Sequence, residues 1–193
     1  MPSFSNVLHT ARRWLKNDQL ILALLSLVVG LSVAWLVVLF REGVLFFHAT
    51  FFAAEGERLY DFAQTLPWWQ VLLVPTLGGL AVGILIRFGM PGGRPQGVAD
   101  VIEASALRGG HMSMTVGLRA GFINALSIGA GASVGREGPA VHLGAALAAG
   151  IAKRLRLTRA LSLTLLGCGV AAAVAASFNA PIAGALFAGE VVI

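Results

Sequence analysis

Gly129-Ala130-Gly131-Ala132-Ser133-Val134-Gly135-Arg136-Glu137-Gly138-Pro139-Ala140-Val141-His142 interrupts a long apolar sequence with a glycine run that ends in a single carboxylate. Each glycine weakens a helix by roughly 1 kcal/mol relative to alanine, so the run predicts irregular backbone. Pro139 suits a first helical turn, where a missing N–H costs no internal bond. Ala140 to Ile151 then predicts an uncharged Ala/Leu/Gly helix. Glu137 is therefore expected just before a helix start, inside apolar protein.

The sequence on either side places this break in a membrane. Of 193 residues, 57% are hydrophobic and only 12% charged, which leaves too few charges to coat a water-facing surface. Non-helical backbone at membrane depth survives only where protein buries it or a cavity borders it. Amides at such a helix start, flanked by glycines that let a ligand approach, make an anion site. The candidate residues are Gly135, Arg136, Glu137, Gly138, Pro139, Ala140 and Val141. Glu137 is the anion the protein supplies itself. Its carboxylate competes with a dissolved anion for the same amides and withdraws when protonated, so one residue serves as gate and proton carrier.

Gly135-Arg136-Glu137-Gly138-Pro139-Ala140-Val141-His142 resembles the GREGPxVH signature of the CLC family of chloride channels and proton-coupled chloride exchangers. Phe178-Asn179-Ala180-Pro181-Ile182-Ala183-Gly184-Ala185-Leu186-Phe187 resembles the FNAPLAGxLF stretch that follows it. The resemblance implies that Glu137 is the gating glutamate. It also implies an all-α membrane protein, multi-span with re-entrant or broken helices, forming the first repeat of an inverted-repeat fold. Transport of chloride or a similar small anion follows, by channel or exchanger, with no cofactor and with chloride as substrate.

The remaining segments are read in order. Met1 to Gln19 is polar, and Arg12, Arg13 and Lys16 predict a cytoplasmic N-terminal segment over 1–19. Leu20 to Phe40 carries no charge and is long enough to cross the roughly 30 Å hydrocarbon layer. Its length beyond Ser32-Val33-Ala34 favours a retained span over a cleaved signal peptide. Arg41 to Asp61 reads as an oblique continuation. His48 and Glu55 lie two turns apart with no third ligand, so His48 is expected at a solvated helix end and no metal is expected. Pro67-Trp68-Trp69 marks an interface, and Val71 to Phe88 is a second span, with Pro75 and Gly78-Gly79 permitting a bend or close contact.

Pro95-Gln96-Gly97-Val98-Ala99 falls where the CLC pattern has its GSGIP loop, which implies an inner anion contact at Gln96 and Gly97. Gln96 takes the Ser position and Ala99 the Pro position. Val98 to Leu107 is a short helix, and Val116 to Ile128 an apolar segment whose Arg119 snorkels to an interface. Lys153-Arg154-Leu155-Arg156-Leu157-Thr158-Arg159 has four cations in seven residues and belongs with the N-terminus on the cytoplasmic side. The net charge of +5 thus sits at the ends of apolar runs, which argues against nucleic acid. Cys168 is the single cysteine, so no intrachain disulfide is available.

Leu161 to Ala176 is a span of small residues, and Ile182 to Ile193 begins a further helix. In proton-coupled CLC exchangers the comparable helix ends in two adjacent carboxylates, the second being the inner proton station. Here the pair reads Glu190-Val191, so the second carboxylate is missing, which argues against tight proton coupling unless Glu190 stands in as inner proton relay. The family's second repeat, with its GxFxP loop and Tyr, has no counterpart, and Tyr60 is the only tyrosine. The expected domains are 1–19 and a truncated first repeat over 20–193. Either a separately encoded second-repeat polypeptide or a second copy of the chain, as a homodimer, is the expected partner. A non-conducting structural half-repeat is the alternative. No nucleophile–base pair or HExxH appears, so no enzyme is expected. His142 is expected to pack or cap. The expected location is a bacterial inner or plasma membrane, multi-pass.

Overall fold

The computed structural model describes residues 18–53 and 66–192. These residues form helices and no strand: α1 (Asp18–Phe52), α2 (Trp68–Gly89), α3 (Val98–Arg108), α4 (Met114–Gly129), α5 (Glu137–Arg154), α6 (Arg159–Phe178) and α7 (Pro181–Phe187). A 3-10 turn at Pro91–Gly93 leads toward α3, and α7 passes into a π-helical turn, Ala188–Val192. Of the segment expected at 1–19, only Asp18 and Gln19 are described, where they open α1. Glu55 and Tyr60 also lie outside the described residues.

Leu20–Phe52, Trp68–Gly89 and Arg159–Phe178 are long and apolar enough to cross a membrane. α1 runs for 35 residues without interruption. At 1.5 Å per residue it extends about 52 Å, well over the roughly 30 Å hydrocarbon layer, so it must lie obliquely or protrude. Val29, Val33 and Val37 recur every four residues and are buried against Ala140, Ala148 and Leu165, whereas Leu27, Leu31 and Trp35 are exposed. The exposed stripe suits lipid.

α5 is the central helix. Eleven of its 18 residues are buried, against none in α2. It lies against α1, α4 and α6, and small residues allow that crowding. A Cβ built on Gly144 would come 2.6 Å from the Gly169 carbonyl oxygen, and one on Gly169 would come 2.5 Å from the Gly144 oxygen, so α5 and α6 touch backbone to backbone. Gly117 and Gly121 of α4 similarly face Ala146 and Leu143 of α5. α2 meets α4 through Val82 and Ile86, packed against Met90, Ala120 and Ile123, and through Gly78, which leaves room for the Ala130 methyl.

The helices have two distinguishable ends. Lys153 and Arg154 close α5, and Arg159 opens α6. The turn after α3 lies beside them, because a Cβ on Gly109 would fall 3.2 Å from Arg159 Nε. This is the basic end. α5 carries Glu137 at its other terminus, about 27 Å away for 18 helical residues. Arg119 is exposed in the second turn of α4.

Candidate functional site

The glycine run is broken backbone as expected, with one shift of boundary. Glu137 is the first residue of α5 rather than the residue before it, and Arg136 is the cap. The first helical bond runs from the Ala140 N–H to the Arg136 carbonyl at 3.2 Å. Pro139 brings no N–H, and among the described residues the Glu137 and Gly138 N–H groups donate to no backbone carbonyl. These are the open donors of a helix start, where the dipole favours negative charge. The Glu137 carboxylate folds back over Gly135, where a Cβ would sit 2.6 Å from its Oε2. Gly135 is not in a left-handed conformation, so its lack of a side chain matters here for space alone.

Glu137 lines a cavity of about 290 Å³ together with Gly135, Arg136, Val134, Arg41 and His48. His48 corrects the sequence reading: it is not at a solvated helix end but buried at 6% exposure. Its Nε2–H donates to the Ile128 carbonyl at 3.1 Å, which leaves Nδ1 buried without a partner. The partner is a backbone oxygen 80 residues away, which no local pattern announces.

Gln96 and Gly97 do not share this cavity with Glu137. Gln96 lines a second one of about 210 Å³, beside Asn124, Ser127 and Val134. It also lines a third of about 400 Å³ with Arg94, Asp100, Glu103, Arg108 and His142. Val134 lines both the first cavity and the second, and Gln96 lines both the second and the third.

The Gly97 N–H, in the stretch expected to make the inner anion contact, is already engaged. It donates to Asp100 Oδ2 at 2.8 Å, because Asp100 occupies the third position of α3 and reaches back to the cap. Arg94 holds the other carboxylate oxygen at 2.7 Å, and Asp100 is 3% exposed. His142, expected to pack or cap, is buried at 2% exposure but caps nothing; its Nδ1 has no hydrogen-bond partner. Glu190 is exposed in the π-helical turn and lines none of these three cavities.

Residues 78–193 match the family model described as voltage gated chloride channel. The chain belongs to this family. Its all-α architecture of membrane-length and broken helices is that of the family's membrane domain, and α5 opens on the signature that carried the resemblance. A putative chloride channel protein, ClcB-like, from Ralstonia nicotianae is 38% identical over 144 residues, covering 72% of this chain and 34% of the relative. The voltage-gated ClC-type chloride channel ClcB of Escherichia coli O139:H28 is 34% identical over 172 residues, covering 87% of this chain and 40% of its own. ClcB of Yersinia pestis is 30% identical over 171 residues, covering 86% and 41%. The chain thus spans between a third and two-fifths of the length of these relatives. No solved structure matches.

Proposed function

We propose that this voltage-gated chloride channel family chain forms part of a transmembrane path for chloride or a similar small anion, with Glu137 as its protonatable gate. One observation carries the reading: a carboxylate folded over Gly135 at the open start of the most buried helix, in the wall of a cavity. When charged, the side chain competes with an incoming anion for the helix-start amides. On protonation it loses that electrostatic hold and an anion takes the position. Arg41 and Arg136 in the same wall favour negative charge there.

Gln96 supplies an amide N–H donor in the wall of both the second and the third cavity. Asp100 occupies the Gly97 amide, so the inner contact falls to the Gln96 side chain. The apolar outer faces of α1 and α2 suit an integral, multi-pass location, with the basic end on the cytoplasmic side of a bacterial inner membrane. Segment 1–19 belongs to that side and 20–193 forms the membrane-embedded repeat. The path is completed by second-repeat sequence, on another polypeptide, or by a second copy of the chain. Glu190 is the carboxylate available for an inner proton role.

The test is chloride flux from proteoliposomes holding the assembly in which the chain functions. Flux in the parent protein should rise as external pH falls, and Glu137→Gln should flatten that dependence while leaving flux in place. A Glu137→Gln profile that still follows external pH would refute the gate. Absence of flux from the complete assembly would refute the path and favour a structural half-repeat.

A further inference from the structure

The gate makes no use of His142. The side chain is 2% exposed, its Nδ1 is buried without a partner, and its ring forms part of the wall of the 400 Å³ cavity toward the basic end. A histidine kept in a core only for packing normally gives its ring nitrogens to a carbonyl or hydroxyl, because an unpaired buried acceptor is costly. Here a cavity with room for several waters lies beside the ring instead.

The charged groups that share the cavity are Arg94 from the loop before α3, and Asp100, Glu103 and Arg108 from α3. α4 brings Val116 and no ionisable group to this wall, and neither α1 nor α6 lines it. Arg94 pairs with Asp100 at 2.7 Å and Arg108 with Glu103 at 3.5 Å. The fixed charges are thus matched, and the imidazole is the group whose charge is left to vary.

His142 also stands in a definite relation to Glu137. The two are five residues apart on α5, about 7.5 Å along the axis and roughly 140° around it. They therefore face different cavities, Glu137 the one of about 290 Å³ and His142 the one of about 400 Å³. Gln96 lines the His142 cavity too.

We propose that His142 is a proton-binding site open to the basic end, and that its protonation raises the affinity of the adjoining Gln96 region for a small anion. The second half rests on the anion path proposed above. A proton moves from cavity water to a ring nitrogen, leaving hydroxide to the bulk, and the wall gains one positive charge. At an effective dielectric of about 20, a charge across a cavity of this size tightens anion binding by about tenfold.

Nitrogen-15 NMR of the histidine-labelled complete assembly in lipid nanodiscs tests the protonation directly, with the resonance assigned by its loss in His142→Gln. The ring should pass from neutral to doubly protonated as pH is lowered from about 8 through the acidic range. Asp100→Asn, which removes a facing negative charge, should move that transition to lower pH. A ring that stays neutral throughout overturns the inference without any variant. Calorimetric chloride titration of the complete assembly, carrying Glu137→Gln to silence the gate, should show about tenfold tighter binding at the acidic end. His142→Gln added to it should abolish the gain. Chloride binding absent at every pH, in the parent assembly as well, refutes the anion path itself; a pH dependence untouched by His142→Gln overturns this inference alone.

Discussion

Gly135→Ala is the substitution that separates the role of the Glu137 carboxylate from that of its charge. Gly135 is not left-handed, so alanine is tolerated by the backbone. The new methyl would meet Glu137 Oε2 at 2.6 Å, with the next atom, Glu137 Cδ, at 3.8 Å. Only the far end of a flexible side chain is in the way. To regain an ordinary separation of about 3.5 Å, the carboxylate must retreat by roughly 1 Å, leaving the place over Gly135. Crowding of this kind costs about 1–2 kcal/mol, borne by the folded-back state alone. At about 1.4 kcal/mol per factor of ten, the balance moves roughly 5- to 30-fold toward the displaced carboxylate. Chloride efflux from proteoliposomes, measured as external pH is stepped, should then be raised at neutral pH and nearly flat below it. Thermal melting of the purified variant should be unchanged. A flux profile superimposable on that of the parent protein would refute the idea that the carboxylate over Gly135 is the blocking position.

Two further substitutions test the frame that holds this site. Gly169→Val places a side chain against the Gly144 carbonyl, which a Cβ alone would approach to 2.5 Å. Since backbone is unable to yield, the α5–α6 contact should lose about 3 kcal/mol or more, read as a large fall in Tm in nanodiscs. Gly79→Ala, with nothing within 4 Å of its Cβ, should leave Tm nearly unchanged. His48→Phe removes the bond to Ile128, whose carbonyl keeps the Gly131 N–H at 2.9 Å, so the loss should be about 0.5–1.5 kcal/mol. Denaturation should show it, and a cost near zero would mean that the bond contributes nothing.

The membrane character and the position of the break were legible because both are written locally. Uncharged runs bounded by cations mark α1 and α6, and Gly135 to Pro139 admits no continuous helix. The start of α5 differed from expectation by one residue, since Glu137 takes helical geometry ahead of the proline. What stayed hidden depended on partners distant in sequence. His48 looked solvated because acidic neighbours follow it, and its acceptor at Ile128 belongs to another helix. The cavity beside His142 exists only once α3 is laid along α5. The Asp100 cap is different: a glycine followed three residues later by an acid, before an apolar run, is a local signal of a helix start that closes its own amide.

α2 has no buried residue, and Gly78 brings it directly against Ala130. Ala130 is where α4 gives way to the segment that ends at Glu137. A lipid-bathed rod therefore leans on the root of the loop that positions the acid. Thinning or thickening of the bilayer changes the tilt of such a rod, and Ala130 is one point on which that leverage bears.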